Sequence, residues 1–274
     1  MAQTYIQWKS AYDLGKLYQI CQRERRIIYI QPLDDFPDFI LDFKLSFHSA
    51  PTDFFSLLSH YCRVFFCGID VEVLPKIDIC KKEWNIKKRH HPTTNKEQLL
   101  VTDFETTLQS ILPVNGLCIL GIIWTDLYPS EDLNFVLGQA FFNHKSGIFC
   151  FGRFEPKTFD EATSRDISVV DANLIWKLLK VICHETCHLF GLSHCEFFSC
   201  LMNASSSVVE ALSQPLFLCP VCLHKLQEVC QFNICTRYLE IQDLLKEIHS
   251  QFPHERFSQS LSWLEKCLEF LNEK

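Results

Sequence analysis

Three features of the 274-residue sequence predict an α+β fold. Short β-branched and apolar runs, punctuated by Gly and Pro, fill the first half. One long helical pattern, Ile167–Phe190, carries closely spaced histidines. Further helical patterns then make up a smaller C-terminal part, stapled by paired cysteines.

The elements follow in chain order. Residues 1–24 are polar and partly aromatic, with a short helix expected at Ala11–Arg23. RRIIYIQPL (Arg25–Leu33) is β-branched and reads as a strand. Asp34–Ala50 reads as irregular. Pro51–Phe66 reads as a helix capped by Thr52 or Asp53, with apolar positions Phe54, Leu57, Leu58 and Tyr61 on one face. Gly68 ends it, and IDVEVLP alternates as a half-buried strand does. The basic cluster KKEWNIKKRHH (Lys81–His91) reads as a solvated loop rather than an import signal or a cleft rim. Lys96–Leu112 reads as a helix ending before Pro113. Gly116–Trp124 is a continuous apolar run, suited to a strand covered on both faces. TDLYPSED reads as a turn. Leu133–Phe142 and Ser146–Phe154 flank NHKSG as a hairpin, and Glu155–Asp166 is a polar connection. Ile167–Phe190 is mostly one helix, interrupted near Asp171, with Leu174, Leu178, Val181 and Ile182 on its apolar face. A short helix follows Met202 and stops at Pro215. Another helix continues from the CPVC pair, and two amphipathic helices close the chain.

Composition narrows the function. The formal net charge is −7, with no basic stripe for phosphate neutralisation, so a nucleic-acid partner is not expected. The start, MAQTYIQWKSAYDLG, lacks the basic head and apolar run of a signal peptide. The most apolar segment, Val114–Trp124, falls far short of the ~20 residues a membrane span needs. Fifteen cysteines, an odd number, suit a reducing cytoplasm or nucleus better than a secreted disulfide framework.

The chemistry is concentrated in His184–Cys222. Its first set is HExxHxxGxxH. On a helix His184 and His188 project from one face, one turn apart. Glu185 lies about 100° further round. Gly191 can end the helix in a left-handed turn and return His194 as a third ligand. Three histidines leave one tetrahedral position of a zinc open, as hydrolysis requires. Water there ionises near neutral pH, and Glu185 accepts its proton as general base. Chance would produce these five fixed residues in about one in 10⁵ chains of this length. Ordinary surface or core histidines leave Gly191 and His194 unexplained. Cys195-x4-Cys200 and Cys219-x2-Cys222 form the second set. Four thiolates close a tetrahedron, so a second zinc held there is structural. Two zincs per chain are expected. His90, His91 and His224 are set aside because both sets are complete without them. Cys183 and Cys187 read as core thiols.

HExxHxxGxxHC, x4, C-x-M, a spacer and CxxC resemble the archaemetzincin family of zinc metallopeptidases, most closely the animal archaemetzincin-2 type. The residues carrying the likeness are His184, Glu185, His188, Gly191, His194, Cys195, Cys200, Met202, Cys219 and Cys222. The resemblance covers roughly residues 26–274. It implies a metzincin-like fold: a mixed twisted sheet, an active-site helix and a small helical lower subdomain. It also implies that Met202 lies under the catalytic zinc, and that GIFCFGRF (residues 147–154) is the edge strand over the cleft. The expected division is 1–25 as an extension, 26–191 as the upper subdomain and 192–274 as the lower. Aminopeptidase-like hydrolysis of short peptides is the expected activity, with peptide or protein substrates as partners. The sequence offers no clear acidic anchor for a free amine among Asp126, Glu131, Asp132 and Asp171. A catalytically silent zinc protein acting as a binding module keeps the same ligands and is the competing reading.

Overall fold

The computed structural model describes residues 3–13, 27–47, 50–92, 94–152, 167–205 and 208–272. Among them a five-stranded sheet runs in the order β4-β1-β7-β10-β9. Its strands are β1 (Ile27–Leu33), β4 (Asp70–Val73), β7 (Gly116–Ile123), β9 (Gly138–Phe141) and β10 (Ser146–Cys150). The first three and β10 are parallel, while β9 pairs antiparallel with β10. Central strands are apolar on both sides because both faces are covered. Ile28, Ile30, Leu120, Ile122 and Phe149 point into the larger core, whereas Tyr29, Leu33, Ile119, Ile123 and Ile148 point into a smaller one.

Helices α3 (Phe54–Phe65) and α5 (Ala172–Leu189) cover the larger-core face. Asp53 caps α3, its carboxylate accepting from Ser56 N–H at 2.8 Å. The C-terminus of α3 is held by buried Arg237, whose Nε donates to the Phe65 carbonyl at 2.7 Å and whose guanidinium lies over the Phe65 ring. A cation is favoured at that end of a helix. On the opposite face sit α4 (Phe104–Ser110) and a small sheet of β5 (Lys88–His90), β6 (Glu97–Leu100) and β8 (Asp126–Tyr128). A β2–β3 hairpin (Lys44–Phe47, Ala50–Asp53) precedes α3, and a four-residue helix α2 (Asp38–Leu41) precedes the hairpin. Beyond α5 come α6 (Val208–Ser213), α7 (Pro220–Cys230), α8 (Ile234–Gln251) and α9 (Glu255–Asn272).

Several expectations are corrected. The N-terminal helix α1 spans Tyr5–Asp13, ahead of Ala11–Arg23, and residues 14–23 lie outside the described set. Asp34–Ala50 is not irregular, since it contains α2 and β2. Lys81–His91 ends in β5, and TDLYPSED contains β8. Lys96–Leu112 begins as β6, passes through a 3-10 turn at Val101–Asp103 and becomes α-helical at Phe104. The reason is Gln98, fully buried and bonded to Arg89, Asp126 and the Asn134 carbonyl, which holds the segment extended. The edge strand is also reassigned: β10 has strands on both sides, and β9 occupies the edge. Glu155–Asp166 lies outside the described residues. No helix among those described is long and apolar enough to cross a membrane.

Candidate metal centres

Helix α5 presents the first set. Asp171 caps it, accepting from Leu174 N–H at 2.8 Å, which explains the interruption read there. Its other end is closed at Gly191, which has φ +80°. Gly191 N–H donates to the His188 carbonyl at 2.9 Å and Leu192 N–H to the Cys187 carbonyl at 3.1 Å. These are the two bonds of a Schellman turn, and the left-handed position favours glycine. The turn sends the chain back so that His194 faces the helix.

The three rings converge. Their centroids are 4.7 Å (His184–His188), 4.8 Å (His188–His194) and 5.3 Å (His184–His194) apart. One nitrogen from each lies within 4.8 Å of the others. His184 Nδ1 meets the Leu201 carbonyl at 2.8 Å and His188 Nδ1 meets the Leu192 carbonyl at 2.7 Å. A carbonyl only accepts, so each Nδ1 carries the proton and each Nε2 a lone pair. Those two Nε2 atoms are 3.1 Å apart. Facing lone pairs at that distance repel unless a positive charge lies between them. Zinc held about 2.0–2.1 Å from each would space tetrahedral nitrogens by roughly 3.3 Å, so the donors fit a zinc ion.

Burial enforces neutral rings. It pushes His184 down to about 3, aided by His188, and His188 down to about 4, aided by His194. His194 is lowered by the same cause. Glu185 is buried beside them, and desolvation pushes its carboxyl up to about 8. Glu185 and the three histidines line a cavity of about 550 Å³. Its opposite wall is the edge strand, with Gly138, Gln139 and Ala140, followed by Phe142.

The second set also closes up. The sulfurs of Cys195, Cys200, Cys219 and Cys222 lie within 4.8 Å of one another, and all four residues are buried. Cys195 and Cys219 Sγ are 3.8 Å apart, matching the ~3.8 Å of two tetrahedral sulfurs 2.3 Å from zinc. Backbone N–H groups point at the sulfurs, from Cys219 and Met202 to Cys200 and from Cys222 to Cys219. Such donors favour the thiolate. Hydrogen bonds from the Cys200 thiol, then the Cys222 thiol, hold the Cys219 thiol well below its usual range, and both donors are pushed up in turn. In CPVC, Cys219 is the cap of α7 and Pro220 fills its first turn, where no N–H is needed. Asn203 folds the other half-site: its amide donates to the Cys195 and Phe198 carbonyls and accepts from Cys200 N–H. No disulfide joins the described cysteines. Cys183 and Cys187 are buried. His224 is half exposed, its ring tilted against Tyr5 with centroids 4.5 Å apart.

Sequence reasoning read Leu133–Phe142 as a hairpin strand but did not place it across the cleft, and it missed two residues of α1's segment, Gln3 and Ala11, which line the same cavity. A glycine inside a strand pattern signals close approach, and Gly138 offered that signal. Nothing in the sequence connected Gln3 with a site nearly two hundred positions away. The candidate acidic anchors are engaged elsewhere or outside the cavity. Asp126 bonds Gln98, Asp171 caps α5, Glu131 pairs with Arg89, and Asp132 is exposed.

A sheet edge thus faces three converging imidazoles and one carboxylate across the cavity. Residues 96–228 match peptidase family M54. Archaemetzincin-2 of Homo sapiens is 30% identical over 255 residues, covering 80% of this chain and 70% of that protein. Archaemetzincin-1 of Homo sapiens is 30% identical over 264 residues, 87% of this chain and 50% of that protein. In structure, archaemetzincin from Methanopyrus kandleri aligns with a TM-score of 0.51 at 21% identity, covering 76% of this chain and 97% of that one. The chain belongs to the archaemetzincin family, peptidase family M54, and is a zinc metallopeptidase.

Proposed function

We propose that the three-histidine site is the peptidase centre, with Glu185 as general base and then general acid, acting on short peptides in an aminopeptidase-like way. The observation carrying this is the pair of Nε2 lone pairs 3.1 Å apart, each fixed by a carbonyl behind its ring. Zinc, when bound, supplies a Lewis acid that polarises the scissile carbonyl and acidifies water. Glu185 sits in the same dry pocket. A carboxyl near the neutral range both takes and returns a proton at working pH, and a nearby dication draws it back toward its charged form. The outer edge of β9 offers backbone N–H and C=O groups to an extended peptide. No described acid other than Glu185 lines the cavity, so a substrate's amino group is read by another feature of the cleft.

In the same reading the four cysteines hold a second, structural zinc. Buried Met202, next to the Leu201 that bonds His184, is the methionine beneath the catalytic zinc of a metzincin-like fold. Residues 26–191 form the upper subdomain and 192–274 the lower. The odd total of fifteen cysteines suits the cytoplasm or nucleus.

Glu185→Ala tests the mechanism. The variant is expected to keep both zincs and lose about 10²–10⁴-fold in kcat. Peptide cleavage at the parental rate would reject the assignment.

A further inference from the structure

Residues 3–13 lie outside the stretch matched to the family, yet they reach the centre of the molecule. Gln3 Nε2 donates to the Gly191 carbonyl at 3.2 Å, and Gln3 Oε1 accepts from Ser193 N–H at 3.2 Å. One side-chain amide thus spans the turn that delivers His194. The same Oε1 and the Gln3 carbonyl accept from Lys225 Nζ at 3.0 and 2.9 Å. Lys225 is 2% exposed and lies one turn beyond Cys222 on α7. A buried ammonium needs compensating charge. Burial lowers its pKa, and Cys222, Cys195, Cys219 and Cys200 all act to raise it. Four thiolates around one zinc carry a net charge of −2, and Lys225 offsets part of it.

The segment is anchored independently of Gln3. Trp8 is fully buried, and Lys9 pairs with Glu228 of α7 at 2.9 Å. Ala11 and Gln3 then form part of the wall of the cavity that holds His184, Glu185 and His194.

We propose that Gln3 is a positioning residue for the three-histidine site, and that the Lys225–Gln3 link couples that site to the four-cysteine site. This rests on the reading of the three histidines as zinc ligands. Among the described residues, the turn 191–194 is otherwise held to α5 by its two Schellman bonds and by the His188 ring donating to the Leu192 carbonyl. Gln3 closes its outer side, so His194 keeps its place when the zinc exchanges. The link makes release from the three-histidine site depend on Lys225, one turn beyond Cys222.

Zinc release to a chromophoric chelator from the full chain reads both centres as two phases. His194→Ala identifies the phase belonging to the three-histidine site by abolishing it. Gln3→Ala is expected to speed that phase about tenfold, the lower end of what losing an outer partner costs, and to leave the other unchanged. Lys225→Met should speed the same phase. The double variant should match the faster single one, because both changes cut one link. Gln3→Glu keeps the acceptor for Ser193 and Lys225 but sets a carboxylate against the Gly191 carbonyl. It should fall between parent and Gln3→Ala, and it reads the link if Gln3→Ala does not fold. If His194→Ala removes no zinc, the site assignment itself is wrong. If it removes one, and the Gln3 variants release theirs at the parental rate, the coupling is wrong. Additive effects of the Gln3 and Lys225 changes would also overturn it.

Discussion

Gly138 lies in contact with Glu185 across the cleft. A Cβ at position 138 would stand 3.1 Å from Glu185 Cγ, 2.7 Å from Phe149 Cβ and 3.0 Å from the Ile148 carbonyl oxygen. Gly138 is paired to Phe149 in the ladder, so the strand has little freedom to retreat. The missing methyl is therefore space that Glu185 uses. Gly138→Ala is expected to push the carboxylate out of line and lower kcat on the order of 10- to 100-fold, since misplacement by about 1 Å has that effect. Zinc content should stay at the parental value. An alanine variant with parental kcat would remove Gly138 from the site's design.

The two side-chain clusters were legible because what gathers them resides in residue type and offset. His184, His188 and Gly191 need only helix geometry and one turn, and both formed as read. The paired cysteines likewise close from local turns at Asn203 and Pro220. Long-range partnership was not legible. SGIFC is buried at every position because strands flank it on both sides, while the half-buried GQAF is the true edge. An apolar run does not announce which neighbour it lacks. Glu97–Leu100 forms a strand because Gln98 is held by Arg89, opposite it in the β5–β6 pair, and by Asp126, 28 residues further along the chain. Gln3 gave no signal for the same reason.

The four-cysteine cluster ties the loop 195–202 to α7, so its metal should matter to stability more than to chemistry. Cys219→Ser is expected to leave about one zinc per chain. It should also lower Tm on the order of 10 °C, a few kcal/mol at roughly 2–4 °C per kcal/mol for a chain of this size. Metal analysis and calorimetry on the same preparation check both numbers. A Tm unchanged by loss of that zinc would contradict a structural role.

Lys180 gives stability a pH dependence of known sign. It is buried between α5 and α6, donating to the Ala211 carbonyl and, at 2.7 Å, to Gln214 Oε1. Burial, then Arg256, pushes its pKa down to about 7 from 10.5. Between those values the unfolded chain binds a proton that the folded chain lacks, so this group makes unfolding harder as pH rises. The slope reaches about 1.4 kcal/mol per pH unit inside that window and vanishes below and above it. Denaturant melts from pH 7 to 10 should show the parent gaining stability relative to Lys180→Met. Parallel curves for the two proteins would mean the lysine stays charged in the fold.

Arg89 explains how the edge strand is aimed. Its Nε donates to Gln98 Oε1 at 3.0 Å. Nη1 donates to the carbonyls of Ser130 and Glu131 at 3.3 and 3.1 Å, and Nη2 to those of Leu133 and Asn134 at 2.6 and 3.1 Å. All five N–H donors of the guanidinium are used, and the group stacks 3.9 Å over the Tyr128 ring. The gripped loop runs straight into β9, which lines the cavity, so Arg89 bears on the cleft through that strand. Lysine keeps the charge but has neither the planar fork nor five donors. Arg89→Lys is therefore expected to speed amide exchange in residues 130–141 and raise KM several-fold, with kcat within about twofold, because ground and transition states lose the same strand contacts. If kcat falls while KM holds, Arg89 acts on the reacting groups rather than on the strand that receives the peptide.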